Sequence, residues 1–115
     1  QDFSDRITID NNLYIMNIVK VSNGKVELRK DTGSLIRTIV ARGAVDADLS
    51  DDGSLILVTT ENGKVELRKE TGSLVRTIVT SDATGAKFSG GDIQVKKKNG
   101  KTELRKETGS LIRTI

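Results

Sequence analysis

The sequence predicts an all-β chain of three repeated units, each made of four short strands. Three observations lead there. A 17-residue block recurs three times along the chain. Apolar residues alternate with polar ones, and no segment sustains the spacing of three and four that a helix needs. Turn-forming clusters return roughly every 8–12 residues, the interval of short strands joined by tight turns.

The repeat sets the organisation. Residues 23–39 read NGKVELRKDTGSLIRTI, residues 62–78 NGKVELRKETGSLVRTI and residues 99–115 NGKTELRKETGSLIRTI, with 14 of 17 positions identical in all three. The copies start 39 and 37 residues apart. Upstream, Ala44-Val45-Asp46-Ala47-Asp48-Leu49-Ser50 matches Ala83-Thr84-Gly85-Ala86-Lys87-Phe88-Ser89 more loosely, and a turn two residues shorter in the third copy accounts for the shorter period. The units are therefore 1–40, 41–79 and 80–115 of a single repeat domain. Such identity fits recent duplication, continuing amplification or design.

Each unit is expected to hold four strands. The first opens weakly, at Ile7-Thr8-Ile9-Asp10, with a turn at Asp10-Asn11-Asn12. The second shows the pattern best. Val45, Ala47 and Leu49 alternate with Asp46, Asp48 and Ser50, a period of two. Asp51-Asp52-Gly53 is a turn cluster. Residues 54–60 (SLILVTT) form a continuous apolar run, as in a strand buried on both faces. Asn62-Gly63 signals a type I′ hairpin, whose two central residues need positive φ. Lys64-Val65-Glu66-Leu67-Arg68 alternates again, Lys69-Glu70-Thr71-Gly72 turns the chain, and residues 74–79 (LVRTIV) close the unit. The third unit repeats this plan around a Gly90-Gly91 turn.

Composition removes several classes of function. The 115 residues include 19 Lys and Arg against 16 Asp and Glu, a net charge of +3, and no Pro, Cys, His or Trp. Without cysteine there is neither a disulfide framework nor a zinc–thiolate site. Without histidine there is no Ser-His, Cys-His or His-metal chemistry. No stretch approaches the ~20 apolar residues that span a bilayer as a helix, and no basic segment followed by an apolar run reads as a signal peptide. Lack of cysteine is compatible with a cytoplasmic location. Only Phe3, Tyr14 and Phe88 are aromatic, so the core must rest on Val, Ile and Leu.

Four-stranded units of about 40 residues are the size of β-propeller blades. Residues 50–78 resemble a WD40-type blade, with an Asp-Gly turn, an apolar strand, an x-Gly hairpin, an alternating strand, then Thr-Gly and a closing strand. The resemblance recurs three times and spans essentially the whole chain. It departs where that family carries Trp-Asp, which here is Arg29-Lys30, Arg68-Lys69 and Arg105-Lys106, and the Gly-His pair is missing too. The alternatives with similar units are a β-trefoil, and behind it a β-prism or solenoid.

The resemblance implies an assembly. Propellers close with four to eight blades, so three blades leave an open face at either end, expected to carry the apolar surface that the inner joints bury. Head-to-tail association of copies covers such faces. Two chains give six blades, the preferred number; three give nine. The alternative is that the chain is a stretch of a longer propeller. The expected role is a non-enzymatic structural or protein-interaction scaffold whose partner is itself and an unidentified protein, with no cofactor. The rival is a carbohydrate- or polyanion-binding module.

Candidate sites are few. The third unit holds eight basic residues against four acidic ones, with Lys96, Lys97, Lys98 and Lys101 as a possible polyanion patch. No aromatic is interleaved among them for base stacking, which disfavours nucleic acid, and exposed edge lysines are the competing explanation. Glu27, Glu66 and Glu103 alternate with Lys25, Lys64 and Lys101 and with Arg29, Arg68 and Arg105, as expected of local ion pairs on one strand face. Arg37, Arg76 and Arg113 recur in the closing strand, to bridge blades or face solvent. Asp46, Asp48, Asp51 and Asp52 are the best cation candidate, against ordinary turn and strand chemistry. The repeats differ most in loops, where binding residues concentrate; Arg42 and Asp82 are the charged residues of the loops between units. Scarcity of aromatics disfavours sugar binding.

Overall fold

The protein, described here from a computed structural model, is all-β. The structure describes residues 17–115 and the backbone of Arg6–Ile9 and Asn12–Ile15; Asp10 and Asn11 of the expected turn at Asp10-Asn11-Asn12 lie outside the described residues. The strands, in chain order, are β1 (Arg6–Ile9), β2 (Asn12–Ile15), β3 (Asn17–Ser22), β4 (Lys25–Lys30), β5 (Leu35–Val40), β6 (Ala44–Leu49), β7 (Leu55–Thr60), β8 (Val65–Lys69), β9 (Leu74–Val79), β10 (Ala83–Ser89), β11 (Asp92–Lys97), β12 (Thr102–Lys106) and β13 (Leu111–Thr114). Among the described residues there is no helix, and so none long and apolar enough to cross a membrane.

Every sheet is an antiparallel meander. The first sheet runs β3-β4-β5, the second β6-β7-β8-β9 and the third β10-β11-β12-β13. The second and third units have the four strands expected. The first does not: its sheet has three, because β1 pairs with β2 in a separate two-stranded sheet, with Arg6 opposite Ile15. β1 therefore pairs with β2, the next strand in the chain, and not with β3.

Turn geometry follows residue count. Ser22 pairs with Lys25, leaving Asn23 and Gly24 as a two-residue loop with φ of 53° and 79°, the double positive φ of a type I′ turn. The same Asn-Gly dipeptide at 62–63 does not form the type I′ turn expected of it. One more residue separates the register partners Thr59 and Val65. The Gly63 N–H therefore donates to Thr60 O and the Thr60 N–H to Lys64 O, and only Gly63 takes positive φ. This is the three-residue loop with a left-handed glycine at its end. Gly100 repeats it with Lys97 and Lys101. Ser89 and Asp92 pair across the two-residue Gly90-Gly91 turn, which explains the shorter third period.

The sheets stack in chain order around two apolar clusters. Between the first and second lie Val26, Leu28 and Ile39 of one and Ala44, Ile56 and Val58 of the other, with Val19, Val21, Ala47 and Leu49 beside them. Between the second and third lie Leu57, Val65, Leu67, Ile78 and Val79 against Ala83, Ala86, Ile93 and Val95, with Phe88 at the margin. The middle strand β7 serves both, Ile56 and Val58 turning one way and Leu57 the other, so its unbroken apolar run is buried on both faces as expected.

The two joints share their backbone contacts. Ala44 N donates to Gly24 O at 2.9 Å, and Ala83 N to Gly63 O at 3.0 Å. A Cβ on Gly24 would stand 2.9 Å from Gly43 N, and one on Gly63 2.6 Å from Asp82 N, so both hairpins need glycine for the close approach as well as for φ. The Thr-Gly turns meet the preceding unit likewise: Gly72 lies against Ile39 O and Gly109 against Ile78 O.

Candidate functional site

The most repeated polar motif, Lys-x-Glu-Leu-Arg-Lys, is a staple within each unit. Glu and Arg two residues apart on a strand share a face. Arg29 Nε donates to Glu27 Oε1 at 3.0 Å, Arg68 Nε to Glu66 Oε1 at 3.1 Å and Arg105 Nε to Glu103 Oε1 at 3.0 Å. The far side of each guanidinium donates to the carbonyl of the glycine in the next turn: Arg29 to Gly33 O, Arg68 to Gly72 O at 2.7 Å and Arg105 to Gly109 O at 2.6 Å. The expected local ion pairs are present, and the turn carbonyl is their second anchor. The hydrogen bond from Arg29 holds the Glu27 carboxyl below the usual carboxylate range, with further help from the Arg29, Lys25 and Lys20 charges. Both partners are thus engaged in holding the turn.

A groove of about 400 Å³ opens where β6 meets β10. Asp46 Oδ2 accepts the Ala86 N–H at 3.3 Å and Asp48 Oδ2 the Phe88 N–H at 2.7 Å, so two carboxylates of one sheet clasp the backbone of the next. Gly85 lies against Asp46; a Cβ there would stand 3.1 Å from its Oδ2. The other wall carries Lys87, Gln94 and Lys96.

The four acidic residues considered for a cation are divided. Asp46 and Asp48 take the N–H groups just described. Asp52 Oδ1 accepts from Ser54 Oγ at 2.7 Å, Ser50 Oγ at 2.8 Å and Ser54 N at 3.0 Å. These bonds, led by the Ser54 hydroxyl, pull its carboxyl from an ordinary 3.8 down to about 2. Asp51 is exposed in the same turn. Among the described residues, no group of three or more potential ligands gathers to hold a metal.

The basic patch is divided as well. Lys96 lines the groove. Lys97 points to the opposite face of β11 and donates to Ser81 O at 2.8 Å. Lys98 and Lys101 sit on the hairpin, where the Lys98 N–H bonds Asp82 O and the Lys101 N–H bonds Asn99 Oδ1. Asp82 adopts φ of 67° at the place where Gly43 has 81°, a conformation that Asp tolerates better than most residues. Arg42 is exposed beside the Gly24 hairpin. Arg42 and Asp82 therefore occupy successive unit boundaries and do not share a site. Arg37, Arg76 and Arg113 are all exposed.

The end faces bear on another expectation. They are expected to carry the apolar surface of the inner joints, and the described residues there carry it in part. Opposite Leu28, Leu67 and Leu104 stand Val19, Leu57 and Gln94; opposite Val26, Val65 and Thr102 stand Val21, Thr59 and Lys96. At these positions the third sheet keeps Leu104 but carries Gln94, Thr102 and Lys96, where the first two sheets carry residues that are buried or half-buried. At the other end, Lys20 lies opposite Glu27 where buried Val58 and Val95 lie opposite Glu66 and Glu103. Apolar contacts remain at both ends: Ile18 is 45 % exposed where Ile56 and Ile93 are fully buried, and Ile115 is 73 % exposed where Ile39 and Ile78 are 7 % and 5 %. Among the described residues nothing lies within 4 Å of a Cβ placed on Gly33 or Gly100, where Gly72, Gly109, Gly24 and Gly63 meet the adjacent unit. The signal was present in the repeat alignment, since three of these departures fall in one unit and on one face.

No protein-family model matches the chain, and a search of curated proteins finds no relative of it.

Proposed function

We propose that this chain is a non-enzymatic scaffold of propeller-like, WD40-resembling blades, which associates head to tail with further copies of itself and presents its loops and sheet faces to protein partners. One observation carries the reading: the same backbone joint is used twice within the chain, and among the described residues half of it stands open at each end. Gly100 and Ile115 are uncovered on one side and Gly33 on the other, while their counterparts are packed. A heterologous contact of this type closes a ring when its rotation allows, and two copies supply six units. Light scattering in phosphate buffer over a range of protein concentration tests this. Twice the chain mass is expected; a monomer in every buffer overturns it.

A second reading, polyanion binding, is favoured by Lys87 and Lys96 on either side of Gln94 on one open face. Heparin retention lost on Lys96→Glu but kept on Lys98→Glu is the result that supports it; retention unchanged by Lys96→Glu rejects it.

A further inference from the structure

We propose that the joint between copies is gated by anions: among the described residues both of its faces carry lysines, and a multivalent oxyanion such as inorganic phosphate, held between Lys20 of one copy and Lys87 and Lys96 of the next, closes it. This rests on the head-to-tail association proposed above.

The inner joint between the second and third sheets brings two carboxylates, Asp46 and Asp48, to the N–H groups of the incoming strand, over an apolar floor. On the open face of the third sheet the matching positions are Gly85 and Lys87, opposite Lys96 and Gln94. Lys96 replaces a fully buried Thr59. The face that would meet it carries Lys20 across from Glu27, a carboxylate that already has Arg29 and Lys25 within 4.0 Å. Among the described residues the seam therefore holds Lys20, Lys87 and Lys96, with Asp92 at the far end of β11, where the inner joint holds two aspartates. Burying more lysines than the carboxylates beside them balance opposes association. An oxyanion supplies both the missing charge and acceptors for several ammonium groups, and Leu104, Ile112 and Ile115 supply the apolar contact.

The test is the association constant, from light scattering or sedimentation equilibrium, in sodium chloride and sodium phosphate of equal ionic strength. The proteins are the parent chain, the Lys20→Val/Lys96→Thr double variant, whose new residues already stand at the matching inner positions, and Ile115→Asp. Expected is association of the parent chain about tenfold or more tighter in phosphate than in chloride. The double variant associates in chloride and loses the phosphate response, and Ile115→Asp is weakened in both salts. Equal association of the parent chain in the two salts, or a double variant that keeps the full phosphate response, overturns the gating and leaves head-to-tail association standing. A monomer for all three proteins in both salts overturns the association itself.

Discussion

Single residues here are constrained by close approach and by turn carbonyls. Gly63 combines a φ of 83° with a backbone neighbour 2.6 Å from any Cβ, whereas Gly53 has φ of 76° and open space. Replacing Gly63 by Ala forces the second joint apart as well as straining the turn, so it is expected to cost clearly more than the roughly 1 kcal/mol of an ordinary left-handed Gly→Ala change. Gly53→Ala should stay near that value; urea melts of the pair measure the difference. Asp52 makes a pH prediction. Its carboxyl is held at about 2 when folded, against 3.8 ordinarily. A depressed carboxylate adds stability that is complete above the unfolded pKa and is lost as pH falls through the folded one. Asp52→Asn should therefore flatten the stability profile between about pH 4 and pH 2 and leave its slope above pH 5 unchanged, as read from denaturation at successive pH values.

At the scale of elements, strand positions were legible because period and turn chemistry agree: the 54–60 run, the alternation of 64–68 and the Gly90-Gly91 turn are all where the residues place them. What escaped depends on counting across the hairpin. Asn62-Gly63 differs from Asn23-Gly24 by a single residue between register partners, and the dipeptide by itself does not reveal that. The first unit's missing fourth strand escaped for a similar reason, since local pairing of β1 with β2 competes with the repeat plan. The clasp of Asp48 on Phe88 joins residues 40 apart in sequence and is invisible to strand periodicity. It makes an expected outcome at this scale. Asp48→Ala leaves the half-buried Phe88 N–H unpaired, which costs about 1–3 kcal/mol, and hydrogen exchange should quicken along β10 before it does along β4.

For the whole molecule, three equivalent leucines report whether stacking continues past the third sheet. Leu28 and Leu67 are buried to 2 % exposure beneath the next unit, while Leu104 is half-buried with no sheet above it. In a stack whose stability is a sum of units and nearest-neighbour joints, Leu→Ala at 28 or 67 removes a complete joint contact and should cost about 2–5 kcal/mol. At 104 the side chain has fewer neighbours to lose, so the cost in the isolated chain should be about half that. Association changes this comparison in a way that composition and charge cannot. If a further copy covers the third sheet, Leu104 gains a neighbour, and the cost of Leu104→Ala should rise with protein concentration toward that of Leu67→Ala. The costs at 28 and 67 should stay constant, because their joints lie within one chain. Denaturation of the three variants at two protein concentrations a hundredfold apart therefore separates a capped stack from an open one. A concentration-independent gap between Leu67→Ala and Leu104→Ala means that the polar third face ends the stack, and a gap that closes means that it continues into another copy.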